Sequence, residues 1–298
     1  MSANRSKSAG DQVLTNRIHQ IAPALLGLST SGTVYDLSSG WWPGMPLAAA
    51  HPPFQVHTYR TPRSMRNEKA LTSNPQLSGS NYGFISEVVS TTMHAGTHLD
   101  ALCHVTSGPD DSWYGGHSAD KYLGDFGATR DDASSLPPYL TRGVLLDVAT
   151  AFGVEVLPDG FAIGAAELEK ACERQTVEVR SGDTVLIRTG MMRDWPDKEL
   201  MTRTEQPGLS LDGARWLYER GPVIVGADNT SVEVSPSGHP SEPQPVHQFL
   251  LHDQGVLLLE WVYLEDLAAA GIGEFLFVAS PLGIVGATGS LVRPLAIT

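Results

Sequence analysis

Hydrophobic positions along the chain fall into two regimes. From about residue 143, short continuous apolar runs alternate with amphipathic stretches. Gly143-Val144-Leu145-Leu146-Asp147-Val148 reads as a buried strand, Gly164 to Arg174 as a helix, and Asp183-Thr184-Val185-Leu186-Ile187-Arg188 as a second buried strand. Ser210 is placed to cap a helix that runs to Arg220 and stops at Gly221-Pro222. Val223-Ile224-Val225-Gly226, Val256-Leu257-Leu258-Leu259 and Phe275-Leu276-Phe277-Val278 read as further strands, with a short helix near Leu264 to Ala270. Unbroken apolar strands separated by helices mean a sheet covered on both faces. The earlier half differs. Phe84 to Met93 and the stretches around Val34 and Val56 are β-rich, and residues 35 to 82, rich in Pro, Gly, Ser and Asn, read as long loops around short strands. The expectation is an α/β fold with mixed strand pairing and flanking helices, not a purely doubly wound sheet. No repeat or long linker divides the chain, so one domain over residues 16–298 is expected, behind a disordered tail at residues 1–15.

Composition narrows the function. The 298 residues are 41% apolar and 18% charged, which excludes disorder of the whole chain. A formal charge of −13 repels phosphate backbones and anionic headgroups, so neither nucleic acid nor a membrane is an expected partner. No apolar run approaches the roughly 20 residues of a membrane-spanning helix. The basic residues Arg5, Lys7 and Arg17 precede an apolar stretch, Ile21 to Leu28, but Pro23 interrupts it and no small-x-small cleavage site follows. The two cysteines, Cys103 and Cys172, have no paired spacing, which excludes a disulfide framework and a cysteine zinc knuckle and fits a reducing cytoplasm. There is no G-x-S-x-G elbow and no phosphate-binding G-x-x-x-x-G-K-[ST], and Gly283, Gly286 and Gly289 read as turns.

The candidate chemistry lies in the histidines. Four of the ten, His94, His98, His104 and His117, fall within 24 residues, and His247 and His252 precede a buried strand. Imidazole nitrogen with carboxylate oxygen is the donor set of zinc or manganese. Ligand atoms lie roughly 2.0–2.2 Å from such an ion. On a straight strand His94 and His98 would be about 13 Å apart, too far. A helical turn brings residues four apart together, but on a continuing helix Asp100 would point about 200° from His98. The segment must bend, and Gly96 is the residue that permits it. His94, His98 and Asp100 are therefore expected as metal ligands on an irregular segment. On a helix starting near Asp100, His104 would share its face, placed for proton transfer. Thr97 is expected to hydrogen-bond within the turn beside the ligands. His117, after Gly115-Gly116, reads as solvated surface. Loop aromatics, among them Trp41, Trp42, Phe54, Tyr82, Phe84, Tyr114 and Trp195, more often pack than bind. Trp113, nine residues past His104, is the candidate substrate contact. Arg60, Arg63 and Arg66 read as a solvated loop.

His94-Ala-Gly-Thr-His98-Leu-Asp100-Ala-Leu-Cys-His104 resembles the H-x-G-T-H-x-D-x-x-x-H signature of the cyclase family of metal-dependent hydrolases, which includes kynurenine formamidases and isatin hydrolases. Gly182 to Gly190, Gly226 to Glu233 and the tail from Pro281 to Pro294 are similar to other family segments, so the resemblance spans about residues 33 to 298. It implies a β/β/α-type fold, a homodimer or homotetramer, and a Zn²⁺- or Mn²⁺-activated water that opens an amide or related bond of a small molecule. It also implies a later His and Glu in the metal site, carried here by His247 and Glu260, with His252 competing for the first role. Glu260 stands out on its own terms, because it ends an apolar run and a buried carboxylate is costly unless paired or metal-bound. Lactone hydrolysis, dehydration, cyclisation or non-catalytic binding remain the alternatives for the same site.

Overall fold

A computed structural model describes residues 23–67, 82–239 and 241–298. The tail expected at residues 1–15 lies outside the described residues. The strands that matter here are β1 (Val34–Asp36), β2 (Gln55–Arg60), β3 (Ser86–Ser90), β4 (His98–Asp100), β5 (Tyr139–Asp147), β6 (Thr184–Arg188), β7 (Ile224–Ala227), β8 (Leu257–Glu260), β9 (Glu274–Ala279), β10 (Gly289–Leu291) and β11 (Leu295–Ile297). The helices are α1 (Ala165–Gln175), α2 (Leu211–Tyr218), α3 (Pro245–His247), which continues as a wider helical turn through Asp253, and α4 (Glu265–Ala269).

Nine strands form one mixed sheet in the order β1-β11-β9-β5-β6-β7-β8-β4-β10. Its centre, β5-β6-β7-β8, is parallel. The flanking pairs are antiparallel, including β8 with β4 and β4 with β10. The apolar runs do what continuous patterning predicts: β6, β7 and β8 are buried along their whole length. Each fully buried Val, Leu or Ile contributes about 1.5–3 kcal/mol, so this centre dominates the apolar core. Helix α1 buries Leu168 and Ala171 and is closed at its start by Glu167, whose carboxylate accepts from Gly164 N at 2.9 Å. Helix α2 begins where Ser210 Oγ accepts from Gly213 N at 3.3 Å, the cap expected from sequence.

The stretch read as loops around short strands holds β1, β2 and a helical turn over Pro62–Asn67, so Arg63 and Arg66 sit on a helix instead of in a loop. β2 and β3 pair with each other outside the main sheet, and Val56, Val88 and Val89 are exposed.

One buried charge network locks the central layer. Arg188 at the end of β6 donates to Asp147 Oδ1 of β5 at 2.9 Å and, through Nε and Nη2, to both carboxylate oxygens of Glu265 in α4 at 2.8 Å. The fork-shaped guanidinium satisfies two carboxylates at once. Removing it strands Asp147 in a buried position, which costs about 3–5 kcal/mol. Arg188→Ala is expected to lower the melting temperature by roughly 10 °C in differential scanning calorimetry. A shift under about 2 °C would show that the network contributes nothing net.

Candidate metal centre

The site is built where β4, β8 and β10 lie side by side. Residues 93–97 form a bent segment, and at Gly96 the backbone takes φ +53°. A Cβ there would lie 2.5 Å from Ser39 Oγ and 2.8 Å from Met45 Cε, so both the dihedral and the space require glycine. The chain then straightens into β4. Alternate residues of a strand share a face, so His98 and Asp100 project together and His94 reaches them from the bend. The bend is where the spacing required it, but it lies entirely before His98. The expected helix from Asp100 to His104 is absent. In its place a tight turn, closed by His104 N donating to Ala101 O at 2.9 Å, swings His104 back over the site.

Two neighbouring strands complete the cluster. β8 pairs with β4 so that Glu260 lies opposite His98, and β10 pairs so that Gly289 lies opposite Asp100. His94 rests on that glycine: a Cβ on Gly289 would meet His94 Cε1 at 2.7 Å. His247, at the end of α3, enters from the other side. His98 Nε2 is 3.5 Å from Asp100 Oδ1 and 3.3 Å from Glu260 Oε2. His247 Nε2 is 3.1 Å from Glu260 Oε1 and 3.7 Å from Asp100 Oδ2. His94 Nδ1 is 2.9 Å from Asp100 Oδ1, and the His104 ring stacks on His94 with centroids 4.0 Å apart.

The far side of each ring is also held. His98 Nδ1 donates to Gly96 O at 2.7 Å. His247 Nδ1 is 2.5 Å from Glu233 Oε1, and that carboxylate also accepts from the backbone N–H of Val246 and His247 at 3.1 and 3.2 Å. With Nδ1 committed in this way, Nε2 is the ring atom that each turns toward the carboxylates of the cluster. Thr288 Oγ1 lies 2.9 Å from His94 Nε2 and can do the same for that ring, freeing Nδ1.

The charges follow from burial. Desolvation opposes a proton on every ring. On His94 the Asp100 carboxylate outweighs it and raises the pKa, and on His247 the carboxylates of Glu233 and Glu260 raise it well above the usual histidine value. His98, donating only to a neutral carbonyl, falls to about 4, and His104 falls to about 3 through desolvation, partly offset by Asp100. Glu260 is pushed up by desolvation and by Asp100. Asp100 is held low by His104, His94 and His98 against its own desolvation.

These residues fit a divalent cation. Asp100 Oδ2 is buried with no hydrogen-bond partner, an expensive state for a carboxylate oxygen that has no cation to meet. The donors of His98, Asp100 and Glu260 lie within 4.8 Å of one another, as do those of His94, Asp100 and His104. Imidazole and carboxylate donors suit zinc or manganese.

The structure thus brings together His94, His98, Asp100, His104, His247 and Glu260. It does not bring the others. His252 Nε2 donates to Ser112 O at 2.9 Å, away from the cluster that the ring of His247 enters. Trp113 is buried against Ala101, Cys103 and Ala128, with Nε1 donating to Asp131 at 3.0 Å, and it is not among the residues lining the cavity below. His117 pairs with the same Asp131 at 2.6 Å in a half-buried position. Thr97 bonds across the chain and not within its own turn: its hydroxyl donates to Trp261 O at 2.6 Å and accepts from Ser39 N at 2.7 Å. Among the loop aromatics, Trp41 and Trp195 brace the site backbone through Ala95 O and Ser39 O. Sequence reasoning gave no role to Glu233, Thr288 or His51. Glu233 left one trace, a charge between Val232 and Val234.

The cluster opens into a cavity of about 860 Å³, large enough for a small organic molecule. His51, Lys198, Arg203, Gln206, Thr230 and Trp261 contribute to its wall.

A histidine–carboxylate centre at the ends of adjacent strands, open to one cavity, defines a metalloenzyme-type site on an α/β scaffold. The chain belongs to the Cyclase family, which it matches over residues 35–234. No curated protein gives a match. Among solved structures, one described as a novel cyclase is similar at 28% identity and TM-score 0.81, covering 93% of this chain and 92% of that one. Isatin hydrolase A from Labrenzia aggregata, bound to benzyl benzoate, is similar at 20% identity and TM-score 0.66, covering 92% and 96%. An isatin hydrolase bound to the product analogue thioisatinate aligns at 22% identity and TM-score 0.64, covering 92% and 94%. The last two establish the likeness of fold.

Glu233 holds the His247 ring on the side away from the cluster. Carboxylates that hold a liganding histidine typically matter 10- to 100-fold for metal affinity. Glu233→Gln is expected to weaken Zn²⁺ or Mn²⁺ binding by about that factor in competition with a chromogenic chelator. An unchanged dissociation constant would remove Glu233 from the site.

Proposed function

We propose that this protein is a metal-dependent hydrolase that opens an amide-type C–N bond (an aryl formamide, cyclic amide or imide), with His104 as the general base. The observation that carries the reading is the buried set of His94, His98, Asp100, His247 and Glu260, with one Asp100 oxygen unpaired, facing a cavity that His104 also lines. The Cyclase family membership and the isatin hydrolase neighbours support it.

A divalent ion at this centre, Zn²⁺ or Mn²⁺, would acidify a water and polarise the substrate carbonyl. The chain's own residues do the rest. Glu233, Gly96 O and Thr288 fix the rings of His247, His98 and His94. Burial keeps His104 neutral, so one ring nitrogen is free to take a proton, and Asp100 stabilises the charge that results. His104 can then return that proton to the leaving nitrogen.

A second reading of His104 has its own support, since its donor lies within the same 4.8 Å group as those of His94 and Asp100. One variant separates the two. His104→Ala is expected to lower kcat by about 10²–10⁴-fold while metal content by atomic absorption stays at the wild-type level. Unchanged turnover removes His104 as the base, and loss of the metal makes it a ligand. The assay is a panel of aryl formamides, cyclic imides and lactones with added Mn²⁺ or Zn²⁺. Hydrolysis of lactones alone replaces the amide reading, and turnover of none of them overturns the hydrolase reading.

A further inference from the structure

His51 enters the cavity on a loop that precedes the metal-binding segment by some forty residues. A turn closed by His51 N donating to Ala48 O at 3.1 Å sets its backbone, and Ala48, Ala49 and Ala50 line the cavity with it. Its ring stacks on His94 with centroids 5.1 Å apart and planes 21° apart. Since His104 stacks on His94 as well, at 4.0 Å and 24°, three imidazoles lie near-parallel along one side of the site. His51 differs from the His94 ring that it stacks on. His94 spends both nitrogens on Asp100 and Thr288. His51 has only Nδ1 near a partner, Thr92 Oγ1 at 3.4 Å, and no protein group among the described residues meets its Nε2. That nitrogen is not among the buried atoms without a partner, so it is accessible, on a residue that lines the cavity. A ring fixed on one face by stacking and on one edge by a threonine, with its other nitrogen open, is a preorganised hydrogen-bonding group without a partner in the protein.

We propose that His51 is a substrate-contacting residue: Nε2 hydrogen-bonds a polar atom of the substrate next to the carbonyl under attack, and His51 is not a metal ligand. This rests on the hydrolase reading above. Its donor is absent from both groups of potential metal ligands, although it lies one ring away from them. With its ring centroid 5.1 Å from that of His94, His51 lies close enough to the cluster to meet a polar atom carried next to a carbonyl held there. Amides with a second polar atom at that place, such as cyclic imides, gain the contact, and compounds without one do not.

Three proteins test this, each loaded with Zn²⁺: wild type, His51→Ala and His51→Gln. Phthalimide binding is measured by calorimetry, metal content by atomic absorption, and kcat and KM on the best amide of the panel. Expected are unchanged metal content in all three, a roughly 10-fold or larger rise in the phthalimide Kd and loss of kcat/KM in His51→Ala, and partial recovery in His51→Gln, whose amide can still donate or accept. Loss of metal from His51→Ala overturns the proposal, because it would make His51 a ligand. A phthalimide Kd, or an absence of binding, that is the same in all three also overturns it. If wild type turns over no amide yet binds phthalimide in a His51-dependent way, the hydrolase reading fails and the contact stands.

Discussion

Two buried carboxylates on neighbouring antiparallel strands, Asp100 of β4 and Glu260 of β8, set the problem that the rest of the structure solves. Both are almost fully buried, and the pairing of β4 with β8 holds them close whatever their charge. Like charges in a low-dielectric interior repel and each carries its own desolvation cost. Every element around them turns an imidazole toward that point. The bend before β4 brings His94, β4 itself brings His98, the turn after it brings His104, and α3 brings His247. The one oxygen left without a donor, Asp100 Oδ2, faces His247 Nε2 at 3.7 Å, too far for a hydrogen bond and a natural spacing across a shared cation.

The backbone bears part of the cost. Two non-glycine residues next to carboxylates of the site, Glu233 and Glu260, have left-handed dihedrals, Val232 at φ +60° and Trp261 at φ +55°. For a β-branched residue this is an outlier worth about 1–3 kcal/mol of strain. Val232 immediately precedes Glu233, and Trp261 immediately follows Glu260. In an extended strand Ser231 and Glu233 would share a face. The left-handed residue between them reverses the chain, so Ser231 lines the cavity while Glu233 reaches the back of His247. Trp261, in turn, directs its carbonyl to Thr97, which ties β8 to the bend before β4. Such strain persists only where the surroundings over-determine it, and Val232, Glu233 and Trp261 are all buried.

What the sequence disclosed follows from what is local. Strands β5 to β9 were legible because a strand covered on both faces must be continuously apolar. Their order in the sheet was not, because no short-range pattern records that β10 lies next to β4. The cluster of His94, His98 and Asp100 was legible because its spacing is a constraint on a few consecutive dihedrals. Even there, reasoning about a helix after Asp100 misplaced the turn, since the periodicity of two on β4 already puts His98 and Asp100 on one face. His247 and Glu260 came from the family resemblance, with Glu260 also marked by its place at the end of an apolar run. Thr288 and His51 left no local mark: each acts through a partner 194 or 41 residues away. Trp113 shows the converse error, in which nearness along the chain to His104 did not become nearness to the cavity.

The rings at this centre are held by unequal partners, and that inequality is itself a design of the site. His98 donates to a neutral backbone carbonyl, whereas His247 donates to a carboxylate. An anionic acceptor pushes electron density into the ring and raises the basicity of its far nitrogen, and a carbonyl does so less. Desolvation takes His98 down to about 4, while Glu233 together with Glu260 takes His247 well above its usual value against the same desolvation. His247 also sits on a separate element, α3, and depends for its aim on Glu233, on the segment that the strained Val232 turns back. The ring held by a carboxylate is also the one whose position is least local. That is why the histidine motif alone, however clear, describes only half of the centre.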